Sequence, residues 1–201
     1  MNNHKVLLRE WMPLLKEDGF ILESRDQNGG GLFLKGPMQR FDAPNQNGRI
    51  YPQRILQREY ANMEKTVREG RATGELDHPE DSTVSLKNVS HVVREMWWDG
   101  PTWMGRIEIL TNLPMGKIAE GLIEAGVTLG ISSRGVGSTS ANSSGVDIVQ
   151  DDFTMVAYDL VQSPSTHNAY MTLGESRKIL GRMDRADRIN RALNDLKGGS
   201  K

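Results

Sequence analysis

Three stretches of the chain repeat apolar residues at intervals of three and four, the spacing that puts them on one face of an α-helix. They cover residues 5–17, 53–69 and 114–126. Each stretch ends at or just before a glycine, and a proline stands at the start of the second and third: Gly19, Gly70, Gly126, Pro52 and Pro114. Glycine ends helices and proline begins them, so we predict three helices.

Between these stretches the apolar residues are mostly β-branched or aromatic, which favours strands. The predicted strands are residues 20–22, 32–35, 89–98, 103–110, 146–149 and 153–161. Asp99-Gly100-Pro101 separates two of them and predicts a hairpin, whereas Asn, Ser and Gly in residues 141–145 predict a turn or loop. We therefore expect an α+β fold, mainly an antiparallel sheet or small β-barrel that carries helices.

The segment from Gly174 to Lys201 differs from the rest of the chain. It has eight Lys or Arg and four acidic residues, a net charge of +4, so the remainder carries −5 of the total of −1. Its apolar residues form one helical stripe: Ile179, Met183, Ala186, Ile189, Leu193 and Leu196. We predict one domain over residues 1–173 and a basic amphipathic helix over 174–201. Nucleic-acid binding would rest on this tail alone, so we do not expect it.

Composition narrows the classes of chemistry. The chain has 201 residues, 37% hydrophobic and 25% charged, which indicates a globular protein with one core, and no apolar run approaches a membrane span of about 20 residues. The absence of cysteine excludes a disulfide framework, a thiolate nucleophile and a cysteine-based zinc site. No secretory signal is visible, so we expect a reducing cytoplasm. We expect no membrane partner, no metal and no cofactor.

Residues 130–138 pair two serines, Ser132 and Ser133, with flanking glycines. A serine hydroxyl becomes a nucleophile when a histidine takes its proton and a third group orients that histidine. Glycine-rich backbone beside it could supply amides that stabilise an oxyanion. The alternative is that the pair belongs to a serine-rich turn.

His78 is the histidine in the most unusual surroundings, because it follows Gly-Glu-Leu-Asp and precedes Pro79 in what is predicted to be an exposed loop. His78 could be a general base, or only a surface or capping residue. His91 lies in a predicted strand, where it could equally be a packed or an exposed residue. Asp159 interrupts an apolar strand, where burial would demand a partner, either a histidine or an arginine, unless the position faces solvent.

Five segments in this order resemble the prohead (procapsid) maturation proteases of T4-like bacteriophages. They are Asn47-Gly48-Arg49-Ile50-Tyr51-Pro52, Gly74-Glu75-Leu76-Asp77-His78-Pro79, Met96-Trp97-Trp98 with Gly105-Arg106, the serine-containing 130–138, and Asp159-Leu160-Val161 with Ser163-Pro164-Ser165. The resemblance spans about residues 40–170. It implies a serine endopeptidase with the fold of herpesvirus assembly proteases, a β-barrel surrounded by helices.

The resemblance also implies roles for individual residues. His78 would be the general base and Ser132 the nucleophile, since related capsid proteases show a Gly-x-Ser-x pattern; Ser133 is the alternative nucleophile. Asp159 would be the third member, although herpesvirus enzymes use a second histidine, for which His91 is the strand candidate. The backbone amides around Ser133 and Arg134 are the expected oxyanion donors.

The implied substrates are the scaffold or core proteins and the major capsid protein, cut inside the prohead in the host cytoplasm, followed by the protease itself. Self-association is a further expectation. Cleavage would follow Glu in a Leu/Ile-x-Glu pattern, which Leu173-Gly174-Glu175 matches, so a cut between Glu175 and Ser176 would release a tail that docks on acidic scaffold. Ile118-Ala119-Glu120 and Leu122-Ile123-Glu124 also match, but within a predicted helix. The rival hypothesis is a non-catalytic capsid or tail assembly protein, against which His78 and the serine pair argue.

Overall fold

A computed structural model of the chain describes residues 5–11, 21–23, 31–45, 47–127 and 129–162. These ranges contain eleven strands and two helices. In chain order they are β1 (Val6–Trp11), β2 (Ile21–Glu23), β3 (Leu32–Arg40), β4 (Arg49–Ile50), α1 (Gln53–Arg68), β5 (Thr73–Glu75), β6 (Val89–Asp99), β7 (Thr102–Ile109), α2 (Pro114–Glu124), β8 (Gly130–Gly137), β9 (Thr139–Ala141), β10 (Asp147–Val149) and β11 (Thr154–Val161).

The strands form three sheets, with the orders β2-β3-β7-β6-β5, β1-β8-β11 and β4-β10-β9. All ladders are antiparallel except the one between β4 and β10. A bridge between Leu76 and Leu160 joins the end of β5 to β11 and so connects the first two sheets. The prediction of mainly antiparallel strands with helices is confirmed. Among the described strands, however, no ladder joins β1 to β2 or β3, so the sheets do not close a barrel.

The second and third predicted helices are confirmed as α1 and α2, and the predicted hairpin is formed by β6 and β7. Each helix buries one face against the sheets; the buried apolar residues are Ile55, Leu56 and Met63 in α1 and Ala119 and Ile123 in α2. Neither helix described here has the length and apolar character needed to cross a membrane. Trp103, at the start of β7, is fully buried at the centre of the core.

The predicted helix over residues 5–17 is wrong where the structure describes it, because Val6–Trp11 is strand β1. Its partner is β8, with Val6 opposite Gly137 and Trp11 opposite Ser132. Leu8 is 1% exposed whereas its neighbours Leu7 and Arg9 are partly exposed, as expected when a strand buries alternate side chains. Pairing with a distant strand outweighs the local helical spacing of the leucines. Residues 12–20 lie outside the described ranges.

The glycine-rich segment is a strand as well, and not a turn: β8 lies at the centre of its sheet, between β1 and β11. Its glycines make room for Phe153. A β carbon at Gly135 would meet the Phe153 ring at 2.5 Å, and one at Gly137 would meet the Phe153 backbone at 2.7 Å. Small residues here therefore allow close packing over the strand.

The last described residue is Gln162. The predicted basic helix over 174–201, the domain boundary before it and the Glu175-Ser176 bond all lie outside the described residues. These remain predictions.

Candidate active site

The Gly-Glu-Leu-Asp-His motif carries the chain from β5 across the end of β11. Glycine at position 74 allows β5 to approach the Tyr158 carbonyl, and the next amide, that of Glu75, donates to Asp159 Oδ1 at 3.0 Å. Asp77 has a left-handed backbone, with φ of 70°, and its amide donates to the Leu160 carbonyl at 2.6 Å. These contacts with β11 place His78 directly above Asp159.

The register of β8 against β11 decides which serine can reach this histidine. Ser132 is opposite Asp159 and Ser133 is opposite Tyr158. Neighbouring residues of a strand point to opposite faces, so Ser132 shares a face with Asp159 while Ser133 shares the other face with Tyr158. That second face is the core, where the Tyr158 hydroxyl donates to Gln39 Oε1 at 3.1 Å.

His78 lies between Ser132 and Asp159, on the face of the sheet that these two residues share. Its Nδ1 is 2.8 Å from Asp159 Oδ2, and its Nε2 is 2.6 Å from Ser132 Oγ. An ionised carboxylate can only accept, so Nδ1 carries the proton and Nε2 accepts from the serine hydroxyl. The His78 side chain is 10% exposed, while Asp159 and Ser132 are fully buried. This arrangement can remove a proton from the serine and hold the resulting positive charge.

Asp159 also has an arginine partner, so both partners considered for it from sequence are present. Arg134 Nε donates to Oδ2 at 2.8 Å and Nη2 to Oδ1 at 3.2 Å. Burial alone raises the pKa of Asp159, but the hydrogen bonds from His78, Arg134 and the Glu75 amide outweigh it and leave that pKa below its ordinary value. The carboxylate is therefore ionised at neutral pH.

Comparison with known proteins places the chain in a family. The model of a family described as "Prohead core protein serine protease" matches residues 7–178. The chain belongs to this family. It is 33% identical over 184 residues to the prohead core protein protease of Enterobacteria phage T4, covering 86% of this chain and 85% of that protein. The motif-based prediction of the family is confirmed.

A solved structure of the bacteriophage T4 capsid assembly protease has a similar fold. It superimposes with a TM-score of 0.71 at 28% identity, covering 80% of this chain and all of the other. The mostly β architecture with two helices is thus that of a prohead core protease. The more distant likeness to herpesvirus proteases stays a prediction.

His91, the alternative third member, does not contact His78 in this prohead core protease. It is fully buried behind β11, with Nδ1 2.9 Å from Ser90 Oγ and Nε2 3.0 Å from the Tyr158 carbonyl. Burial lowers the pKa of His91 to about 4. The position beside His78 Nδ1 is taken by Asp159.

The predicted oxyanion donors, the amides of Ser133 and Arg134, lie in β8 between two paired strands. A strand paired on both sides commits its amides to ladders. Their role as donors stays a prediction, and we assign the oxyanion site to no other group.

Sequence reasoning considered Arg134 only for its amide and missed its side chain, which is buried against Asp159. An arginine among the small and apolar residues of 130–137 was the available signal. It also missed Arg9, whose Nη2 donates to the Pro79 carbonyl at 2.6 Å and so ties β1 to the loop that carries His78. No signal for that contact existed while residues 5–17 were predicted to be a helix.

Proposed function

We propose that this prohead core protease is a serine endopeptidase in which Ser132 is the nucleophile, His78 the general base and Asp159 the residue that orients His78. The observation that carries the proposal is the imidazole that bridges Asp159 Oδ2 and Ser132 Oγ at 2.8 and 2.6 Å. These are the relations that nucleophilic catalysis by serine requires, and they hold whatever fold supports them.

In the first half of the reaction, Ser132 Oγ attacks the carbonyl carbon of the scissile peptide while its proton passes to His78 Nε2. Asp159 stabilises the imidazolium through Nδ1–H and remains ionised itself. The carbonyl oxygen becomes an oxyanion in the tetrahedral intermediate. When the intermediate collapses, Nε2 returns the proton to the leaving amine, the C–N bond breaks and an acyl-enzyme ester stays on Ser132.

In the second half, water replaces the amine. His78 takes a proton from the water as its oxygen attacks the ester, and then gives that proton to Ser132 Oγ as the carboxylic acid product leaves. In each step Nε2 takes or gives the proton while Nδ1–H stays bonded to Asp159, so the site needs no other proton carrier.

The substrates of this proposal are prohead core or scaffold proteins and the major capsid protein, cleaved after Glu in Leu/Ile-x-Glu within the prohead in the host cytoplasm. Support comes from the T4 relatives, which are described as a prohead core protein protease and a capsid assembly protease. We also propose that the enzyme cuts its own chain between Glu175 and Ser176 and releases residues 176–201.

Intact-mass measurements over time, with a reporter peptide that contains Leu-x-Glu, test the catalytic assignment. We expect Ser132→Ala and His78→Ala to lower kcat by about 10⁶ and Asp159→Asn by about 10⁴. Ser133→Ala should cleave within a few-fold of wild type, because its side chain lies on the core face. Full activity of Ser132→Ala would refute the assignment, and complete absence of peptide and core-protein cleavage by the wild type would favour the non-catalytic assembly protein.

The self-cleavage site needs a separate variant. Glu175→Gln should leave the tail attached while the reporter peptide is still cut at the wild-type rate. Glu124→Gln is the matched control, since its Leu-Ile-Glu sequence is held in α2 with Ile123 buried, and it should change neither reaction. Release of the tail from Glu175→Gln at the wild-type position would show that the bond was assigned wrongly.

A further inference from the structure

The Arg134 side chain uses its whole hydrogen-bonding capacity beside the active site. Besides its two bonds to Asp159, Nη2 donates to Glu75 Oε1 at 3.1 Å, and Nη1 donates to the carbonyls of Asp81 and Thr83 at 2.9 and 3.0 Å. A guanidinium has five N–H donors, so all five are committed. Arg134 is fully buried, which makes this a fixed part of the interior and not a surface ion pair.

Glu75 contacts both members of the Arg134–Asp159 pair. Its amide donates to Asp159, whereas its Oε1 accepts from Arg134 and from the Ser85 amide at 2.9 Å. Glu75 is fully buried as well. One residue therefore holds the carboxylate through its backbone and the guanidinium through its side chain.

We propose that Arg134 and Glu75 are a positioning pair, which sets the orientation and the net charge around Asp159 and thereby the proton affinity of His78. This inference rests on the proposed triad. The hydrogen bonds of both residues run to Asp159 and to each other, so we expect both to act through Asp159.

Orientation is the first part of the argument. Each Asp159 oxygen accepts one N–H from Arg134, and Oδ1 also accepts the Glu75 amide, so the plane of the carboxylate cannot turn without losing charge-assisted bonds. Oδ2 is thereby held towards His78. Lysine has the same charge but lacks the planar fork, and so cannot hold both oxygens.

Charge is the second part. With one positive and two negative groups buried together, the cluster has a net charge of −1, and a proton on His78 brings it to zero. Protonation of His78 during catalysis is therefore favoured by Asp159, while the charges of Arg134 and Glu75 offset each other. Removing Arg134 makes the cluster more negative and removing the Glu75 charge makes it neutral, so the two changes must act on His78 in opposite directions.

The other charged groups near His78 are less able to set its charge. Asp77, Glu80 and Asp81 in its own loop are exposed and screened by water. Arg9 of β1 reaches this loop through the Pro79 carbonyl. On the β6 side, His91 is neutral in any assay above about pH 5, since its pKa is about 4.

The pH dependence of kcat/KM for a Leu-x-Glu peptide tests the pair. Activity rises with pH as His78 loses its proton. Arg134→Met should move this rising part of the profile, its acidic limb, to higher pH by about one unit. It should also lower kcat/KM on the high-pH plateau about a hundredfold. Glu75→Gln should move the limb down by a similar amount. The double variant, which again has a net charge of −1, should return the limb towards wild type with the plateau still low.

Arg134→Lys separates charge from orientation: the limb should stay near its wild-type position while the plateau falls. The matched control is the partly exposed Arg94–Glu108 ion pair between β6 and β7, at 2.6 Å. Arg94→Met and Glu108→Gln should leave the limb and the plateau unchanged.

Titration of the His78 ring by NMR in Ser132→Ala keeps the test independent of activity, with the His78 signal assigned by its loss in His78→Gln. Opposite shifts for Arg134→Met and Glu75→Gln support the pair even if the triad is not the catalytic machinery. Shifts in the same direction, or none in the folded variants, overturn it. If Arg134→Met does not fold, a downward shift for Glu75→Gln with none for Arg134→Lys supports the pair, and the absence of a shift for Glu75→Gln overturns it.

Discussion

Gly74→Ala tests whether the approach of β5 to β11 builds the proposed active site. A β carbon at this position would lie 1.9 Å from the Tyr158 carbonyl oxygen and 2.4 Å from the His91 ring. Such contacts are essentially never closer than 3.0 Å, so the strands must separate by about 1.1 Å, the difference between 3.0 and 1.9 Å. The obstacle is backbone on one side and a fully buried ring on the other, so neither can move aside easily.

The displacement acts on catalysis through the next residue. The amide of Glu75 bonds Asp159, and three residues further His78 bonds both Asp159 and Ser132. A misplacement of about 1 Å in a catalytic group costs about a hundredfold in rate. The strain in the core should also cost about 1–3 kcal/mol of stability, or roughly 5 °C in Tm.

The assay is peptide cleavage well below the melting temperature, together with thermal unfolding followed by circular dichroism. Gly121→Ala in α2 is the control, since nothing lies within 4 Å of its added carbon. It should keep full activity and gain up to about 1 kcal/mol, because alanine favours a helix more than glycine does. Gly74→Ala with activity within threefold of wild type and an unchanged Tm would refute the account of the site.

Two further predictions concern buried polar groups. Because the pKa of His91 is about 4 in the folded chain and about 6.5 in the unfolded chain, its stabilising contribution is present above pH 6.5 and is lost as pH falls towards 4. Between pH 7 and pH 5, the free energy of unfolding measured with urea should fall by about 2 kcal/mol more for wild type than for His91→Gln. Equal falls would contradict this prediction. Glu59 of α1 is buried, and its Oε2 accepts the Met155 amide at 2.8 Å. Glu59→Leu should lower the free energy of unfolding, measured with urea, by about 1–3 kcal/mol. The control is Glu64→Leu, which should change it little because the Glu64 side chain is 48% exposed. Equal losses in the two variants would show that the buried hydrogen bond is unimportant.

Elements stabilised by neighbours in sequence could be predicted. Both α1 and α2 bury one stripe of their own surface, and the β6–β7 hairpin forms across a short turn at Gly100, whose φ is 54°. The same reasoning failed for β1, whose leucines have helical spacing but whose partner strand begins at residue 130. It failed for β8 too, because the packing of Phe153 over its glycines cannot be read from the glycines themselves.

The residues of the site could be named from sequence, since the histidine, the serine pair and the acid each stood in unusual local surroundings. The choice between the two serines could be made only by resemblance. Strand register supplies the physical reason for it: Ser132 is opposite Asp159, and a slip of one residue would turn Ser133 to the site instead. The same register turns Arg134 towards Asp159.

By itself, therefore, the sequence determined the chemistry available to this protein and its short-range elements, because spacing, turns and residue types act over a few positions. Tertiary structure alone decided which side chains meet. The bonds that join His78 to Ser132 and Asp159 span 54 and 81 residues, and that between Arg134 and Glu75 spans 59. Contacts of that separation depend on strand order and register, which no local pattern encodes.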